Sequence, residues 1–236
     1  MTSDPAHLDV VVTRARDAAG AQAGGADRLL LSADPGAGHV SPEPALVSAV
    51  VRETDLPVWV VLRRDELPFH RLVLLGTDYL ELGATGLAFG FLDRDLEIDG
   101  PACAEVTREL GDVPWLYHGF DTALEVPRAW RDVRRLPNLD GVLSAGSTRG
   151  LEHGVEELIA RLREDPSLAD LLVAGGGLTP ELVPWLVRAG VRRFAIGSSA
   201  RESGSWTRAS VDAHRVRTWR MLIDDAVSRA LGIPAG

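Results

Sequence analysis

The feature that most constrains the fold of this chain is a regular alternation of short apolar runs with helical segments. Eight apolar runs recur at intervals of roughly 30 residues, the length of one strand–helix unit in a parallel α/β protein. The runs are almost continuously apolar, as strands are when a parallel sheet is buried on both faces. The predicted strands cover residues 8–12, 27–32, 56–63, 87–90, 113–118, 140–144, 171–174 and 191–196.

Helical segments fill the intervals between these strands. Three helix-to-strand turns begin with a glycine and continue into an apolar strand residue. The glycines are Gly25, Gly83 and Gly190, and glycine is the residue type favoured just after a helix C-terminus. The pattern predicts a single (β/α)8 TIM-barrel domain over residues 1–236 rather than an open doubly wound sheet. The predicted helices cover residues 14–23, 41–53, 67–81, 101–110, 123–136, 151–164, a segment with a capped start at Thr179, and 212–231.

Charge and composition exclude several classes of protein. The net charge is −9 and every positive side chain except histidine is arginine, so the chain has no basic stripe for nucleic acid and no lysine for Schiff-base chemistry. No run approaches the roughly 20 apolar residues that a membrane helix needs, and the first residues do not resemble a signal peptide. We therefore expect a cytoplasmic protein with no nucleic-acid or membrane partner.

Two glycine-rich loops follow the last two predicted strands. In a TIM barrel the loops after these strands often bind phosphate, because glycine lets the backbone approach a ligand closely. The sequence therefore predicts an anion site here, while the alternative that the glycines only make tight turns stays open. The residues of this predicted site are Gly175, Gly176, Gly177, Gly197, Ser198 and Ser199.

Polar side chains also follow other strands, at the end where TIM-barrel chemistry takes place. The guanidinium of Arg63 suits a carboxylate or phosphate, or a salt bridge with a neighbouring acid. His118 with Asp121 has the composition of a general base held by a carboxylate, or of a simple hydrogen-bonded histidine. The remaining candidates at these strand ends are His39, Ser144 and Ser147.

Arg28 is a further candidate ligand-binding residue, although it lies early in its strand. Asp9 lies early in the first strand as well. The two residues have the alternative of forming a buried ion pair.

The residue inventory does not predict a metal site. The six histidines are scattered, with no pair two or four residues apart, and copper(I) prefers thiolate and thioether ligands. The chain offers Cys103, at a predicted helix start, and two methionines, Met1 and Met221.

Several motifs, in matching order from about residue 8 to residue 222, resemble those of the CutC copper-homeostasis family. The family segments are GADRIELC, LTP, MIRPR, GADGFVFG, HRAFD, LTSG and AGGGV. Their counterparts here are residues 25–32, 40–42, 61–64, 83–90, 117–121, 143–146 and 174–178. The resemblance implies a TIM barrel, a cytoplasmic location and a role in copper homeostasis, and it is the only ground for naming copper as a cofactor.

The chain departs from the family pattern at polar positions. Leu30 and Ser32 replace the glutamate and cysteine of GADRIELC, and Asp65 stands nearest the second arginine of RPR. Tyr117 and His118 occupy the histidine and arginine positions of HRAFD, and Asp9 stands where the family has a first-strand glutamate. The family residues that remain are Arg28, Arg63, Asp121 and the glycine loops. The chain therefore resembles a divergent member whose polar centre has been rebuilt or partly lost.

Three functional hypotheses follow. The first is a CutC-like barrel that binds a small anionic ligand at the C-terminal face. The second is a phosphate-handling lyase or isomerase with His118 as general base, in which Asp121 and Arg63 are the other catalytic candidates. The third is a non-catalytic interaction protein, in which Trp206 and Trp219 would pack against a partner such as a second copy in a homodimer, although a core position is the better expectation for Trp219.

Overall fold

A computed structural model describes residues 6–37, 39–63 and 67–232 and confirms the predicted (β/α)8 barrel. Eight parallel strands follow one another around a closed ring in chain order. Each strand is three to six residues long. The strands are β1 (His7–Val12), β2 (Arg28–Leu31), β3 (Val58–Val61), β4 (Gly86–Phe89), β5 (Trp115–Tyr117), β6 (Leu139–Ser144), β7 (Leu172–Ala174) and β8 (Arg193–Ile196).

One α-helix follows each strand. The helices are α1 (Ala15–Gly24), α2 (Pro44–Val51), α3 (Phe69–Glu81), α4 (Gly100–Leu110), α5 (Val126–Val133), α6 (Leu151–Glu164), α7 (Val183–Arg188) and α8 (Ala213–Ala230). Short 3-10 turns occur in the connections, including Phe120–Thr122 after β5 and Ser198–Ala200 after β8.

The strands are apolar because their two faces enter two separate cores. Alternate side chains of a strand point to opposite faces, so Leu8, Val10 and Val12 of β1 pack toward the helices, whereas Val11 points into the barrel. The interior cluster is small and closes the centre of the barrel. Its buried members are Val11, Leu30, Trp59, Val61, Ala88, Leu116, Val173 and Ala195, with Leu143 and Trp206 packed against them.

Two predicted helix starts are wrong, because each segment contains two prolines and the helix begins at or next to the later one. The helix predicted to open at Ser41 begins at Pro44, and the helix predicted to be capped by Thr179 begins at Val183, with Pro184 in its first turn. Proline has no N–H to lose at the first turn of a helix. Thr179 instead accepts a hydrogen bond from Leu182 N–H in a separate turn, at 3.1 Å.

Some sequence predictions concern residues outside the described part of the chain. These are the first residues with Met1, and Arg64 and Asp65 of the RPR-like segment. The domain bounds of residues 1–236 also stay a prediction. Among the helices of the described chain, we find none with the length and apolar character needed to cross a bilayer.

Candidate functional site

A cavity of about 320 Å³ opens at the end of the barrel where the strands terminate. Most of the predicted site residues line it, although they come from loops after β2, β5, β6, β7 and β8. The structure therefore brings together His39, His118, Asp121, Ser144, Ser147, Gly175, Gly176, Gly177, Gly197, Ser198 and Ser199. We call this the mouth cavity.

Arg28 does not belong to this group, and its assignment as a ligand-binding residue of the mouth is corrected. It is the first residue of β2, so it lies at the opposite end of the barrel. There its guanidinium donates to both carboxylate oxygens of Asp9, at 2.8 and 2.6 Å, as the ion-pair alternative predicted. It also donates to Asp140, at 3.1 Å, and lies over the Trp59 ring, 3.9 Å from the centroid.

This lower cluster extends to two further residues. His7 and Asp9 are hydrogen bonded at 2.9 Å, and Arg193 donates to the backbone and side chain of Asp140. Burial alone would raise the pKa of Asp9, but the charge of Arg28 and the hydrogen bonds from His7 and Arg28 hold that pKa below its usual value. We call these residues, His7, Asp9, Arg28, Asp140 and Arg193, the base network.

Arg63 lies beside the mouth cavity rather than in its wall. It lines an adjoining cavity of about 540 Å³ that shares His118, Gly119 and Thr122 with the mouth cavity. Its side chain is exposed, and its backbone N–H donates to the Ser41 hydroxyl at 2.8 Å. Arg63 therefore contributes positive charge near the mouth without lining the glycine loops.

The two glycine loops line the mouth cavity and contain backbone N–H groups that have no protein acceptor among the described residues. Gly176 and Gly177 have φ values of +83° and +88°, a conformation that other residues rarely adopt. Within the described part of the chain, the N–H groups of Gly176, Gly177, Ser198 and Ser199 donate to no protein acceptor. Backbone donors left open in this way are suited to an anion.

The floor and one wall of the mouth cavity are apolar. Val11, Leu143 and Ala195 form the floor, which is the upper surface of the barrel interior. Trp206 forms the wall beside Gly197, so close that a Cβ on Gly197 would come within 2.5 Å of the ring. No sequence pattern predicts Trp206 as a lining residue, since it lies ten positions beyond β8.

A buried ion pair anchors the loop that carries Trp206. Arg201 and Asp17 are both fully buried and meet at 2.7 Å, and Arg201 lies 4.9 Å from the Trp206 ring centroid. Arg201 also donates to the Ala209 carbonyl, and Asp17 accepts from Val211 N–H. Burial would raise the pKa of Asp17, yet the hydrogen bonds and charge of Arg201 leave it lowered.

Asp121 is engaged by the loop after β6. Its carboxylate accepts hydrogen bonds from the Ser144 hydroxyl at 2.5 Å, Ala145 N–H at 2.7 Å and Gly146 N–H at 3.2 Å. Burial raises the pKa of Asp121, although these three donors oppose that change. The carboxylate thus fixes the loop beside the cavity.

His39 and His118 form a contacting pair of imidazoles. Their ring centroids are 4.7 Å apart in an edge-on arrangement. Burial lowers the pKa of His118 to about 3 and that of His39 to about 4, and the charge of Arg63 acts in the same direction on both. The Nδ1 atom of His39 is buried without a hydrogen-bond partner.

The hypothesis of a His118–Asp121 dyad is not matched by this geometry. In the described chain Asp121 hydrogen bonds to the β6 loop and the His118 ring contacts His39. A histidine that is neutral near pH 7 and lacks a carboxylate partner is a weak general base, but its ring can still donate a hydrogen bond.

The described residues do not fit copper(I). Burial raises the pKa of the Cys103 thiol to about 12, so the thiolate that copper(I) prefers is disfavoured there. Met221 is exposed on α8. Across residues 6–37, 39–63 and 67–232, no group of three or more histidine, cysteine, aspartate or glutamate side chains is placed to hold a metal ion.

Comparison with known proteins identifies relatives of this chain. The sequence model of the CutC family matches residues 6–200. A CutC family protein of Klebsiella pneumoniae is 28% identical over 193 residues, which cover 77% of this chain and 74% of that protein. A human copper homeostasis protein cutC homolog is 26% identical over 213 residues, covering 87% of this chain and 75% of that protein.

A solved structure shows the same fold. The crystal structure of CutC from Streptococcus agalactiae superposes with a TM-score of 0.70 at 18% sequence identity. The match covers 81% of this chain and 98% of the other.

Proposed function

This chain belongs to the CutC family, and from that premise we propose that it binds a small anionic ligand of the phosphate type in the mouth cavity. The observation that carries the proposal is the set of open backbone N–H groups on the two glycine loops. Loops after the seventh and eighth strands are a frequent phosphate-binding position in TIM barrels.

The shape of the cavity supports a ligand with two unlike parts. Its volume of about 320 Å³ is near the lower end for a small-molecule site. The open N–H groups suit an anionic group, whereas the floor of Val11, Leu143 and Ala195 suits a compact apolar portion. A phosphate monoester or carboxylate with a short apolar body has this character.

A part in copper homeostasis is proposed for this chain only through that ligand. The name of the human relative states this role. Because the described donor set does not fit copper(I), we propose no direct copper site, and copper stays a cofactor implied by family resemblance. The cytoplasmic location and the homodimer also stay predictions from the sequence.

Calorimetric titration with inorganic phosphate tests the proposal. We expect saturable binding of one phosphate per chain, and phosphate at about 100 times its dissociation constant should stabilise the fold by roughly 2.7 kcal/mol. Titration with copper(I) under anaerobic conditions is expected to show no tight binding.

Two variants with the same added charge locate the site. Ser198→Asp places a carboxylate in the cavity wall, and we expect it to weaken phosphate binding by about tenfold or more through like-charge repulsion. Thr218→Asp adds the same charge on the exposed face of α8, outside the lining residues, so we expect less than about a threefold change. Equal effects of the two variants, or no binding by the native protein, would contradict the proposal.

The other two hypotheses remain predictions. The lyase or isomerase hypothesis would need a base stronger than the buried His118. The interaction-protein hypothesis invoked Trp206 and Trp219. Trp206 lines the mouth cavity, and Trp219 is 7% exposed in the core between barrel and helices, where its core position was expected.

A further inference from the structure

We propose that the mouth cavity takes up one proton from solution with each dianion that it binds, and that the His39–His118 pair receives this proton. The inference rests on the proposed function, since it concerns the same cavity. It concerns how binding is regulated and why the site favours a dianion at mildly acidic pH.

Among the described residues that line the mouth cavity there is no arginine, and the chain contains no lysine. Arg63 lies outside this lining, next to His118, and Asp121 is the only carboxylate among the described lining residues. A dianion on the glycine loops therefore adds negative charge to a wall that already contains a carboxylate.

The paired imidazoles are the groups that can supply compensating charge. Both line the cavity and both are neutral near pH 7 when it is empty of ligand, since burial and Arg63 lower the pKa of each. A unit charge about 6 Å away at an effective dielectric constant near 20 raises a pKa by roughly 2, so a dianion raises it by roughly 4. A histidine with a pKa of about 4 would then be largely protonated near neutral pH.

Asp121 is the competing proton acceptor, and its hydrogen bonds disfavour protonation. Its two oxygens accept three hydrogen bonds, from the Ser144 hydroxyl and from the N–H groups of Ala145 and Gly146, and each bond favours the ionised carboxylate. A proton on this carboxylate would weaken the bonds that fix the loop after β6. A proton on an imidazole displaces no such bond.

His39 is the member of the pair that receives the proton. Its Nδ1 atom has no hydrogen-bond partner, and the neighbouring Asp34 favours its charged form. The charged form of His118 is disfavoured by His39 in addition to Arg63. With ring centroids 4.7 Å apart, two imidazolium charges would repel each other, so the uptake is one proton and not two.

Inorganic sulfate is the probe that isolates the protein's protons, because sulfate remains a dianion over the range where histidine titrates. We would titrate the native protein from about pH 5 to about pH 7.5 in pairs of buffers that differ in ionisation enthalpy. The dependence of heat on buffer gives the number of protons taken up. We expect a value that approaches one, and an affinity that falls by up to about tenfold for each pH unit gained.

Variants identify the acceptor. His39→Asn is chosen because asparagine tolerates the left-handed backbone at this position, where φ is +65°. We expect it to bind sulfate with less than half of the native proton uptake, whereas His214→Gln, on the exposed start of α8, should retain the native uptake.

The outcomes separate the two proposals. Sulfate and phosphate that do not bind at any pH would overturn the proposed function. Sulfate binding with no buffer-dependent heat, or uptake unchanged in His39→Asn, would overturn only the proton-linked account. The proton count of the native protein needs no variant to fold.

Discussion

The two ends of the barrel carry similar side chains but use them differently. At the N-terminal end, the base network satisfies its charges internally, with Arg28 donating to Asp9 and Asp140. At the C-terminal end, the mouth cavity leaves polar groups open, including the N–H groups of Gly176 and Gly177 and the Nδ1 atom of His39. Gly176 and Gly177 are exposed to solvent, whereas the Nδ1 atom of His39 is buried, and a buried polar group without a partner costs stability. Polar groups left open around one cavity suit a ligand, whereas the closed network stabilises the fold.

The largest expected effect on stability comes from removing an ion-pair partner from the base network. Arg28→Met leaves Asp9 buried without its main partner, and we expect a loss of about 3–5 kcal/mol in the free energy of unfolding, measured in urea. Phosphate affinity of the folded protein should change by less than about twofold, because Arg28 is remote from the mouth cavity. The double variant Asp9→Leu/Arg28→Met should recover much of the stability, and a double variant no better than the single one would argue against an uncompensated charge.

A comparable change at the mouth should affect both properties. Arg201→Met leaves Asp17 buried without its partner and releases the loop that carries Trp206 and Ser198. We expect a loss of about 3–5 kcal/mol of stability together with weaker phosphate binding. Unfolding and calorimetry on the same preparation would check this, and an affinity equal to native would show that the loop does not position the site.

As pH falls, the two histidines of the mouth cavity should lower the free energy of unfolding before Asp9 of the base network does. The pKa values of His39 and His118 in the folded protein, about 4 and about 3, lie below the unfolded value of 6.5. The unfolded chain therefore binds more protons below pH 6.5, and stability falls as pH drops, by up to about 1.4 kcal/mol per histidine per pH unit. Asp9, whose pKa is lowered, contributes stability that is lost only as pH falls below its ordinary value of 3.8.

Urea unfolding at about pH 7 and about pH 5 measures this difference, which we expect to reach up to about 4 kcal/mol. The double variant His39→Asn/His118→Gln should lose much less over the same interval. Parallel losses in native protein and double variant would place the acid sensitivity elsewhere.

The smallest effect is expected from Gly177→Ala. A Cβ at this position meets no atom within 4 Å, so the cost comes from the backbone conformation alone, about 1–2 kcal/mol of stability at a φ of +88°. Phosphate binding should weaken because the neighbouring N–H groups turn. Gly111→Ala also meets open space, at a φ of +77° and a ψ of −160°, and is a control outside the mouth cavity that should lose stability without affecting affinity.

The sequence predicted most of the mouth because topology alone brings strand ends together. Residues such as Ser144 and Gly175 follow the ends of different strands, and a closed parallel barrel places all such ends on one rim. Position within the strand also explains the location of Arg28, which is the first residue of β2 and so lies at the N-terminal end of the barrel.

Contacts made by loops could not be predicted from the sequence. Trp206 reaches the cavity from a long connection, and Asp17 meets Arg201 across 184 positions in the chain. The partners of Asp121 depend on how the β6 loop turns, whereas the sequence alone suggests His118, three residues away, as its partner. Such choices are fixed by tertiary packing and leave no local pattern.

The central claim is that the open N–H groups at the C-terminal mouth bind the anion while the base network does not. Phosphate titration followed by amide ¹H–¹⁵N correlation spectra tests it most directly. We predict saturable shifts of the Gly176, Gly177, Ser198 and Ser199 amides, with the amides of Arg28 and Arg193 unchanged. Saturable shifts centred on Arg28 and Arg193, or none at the glycine loops, would contradict the account.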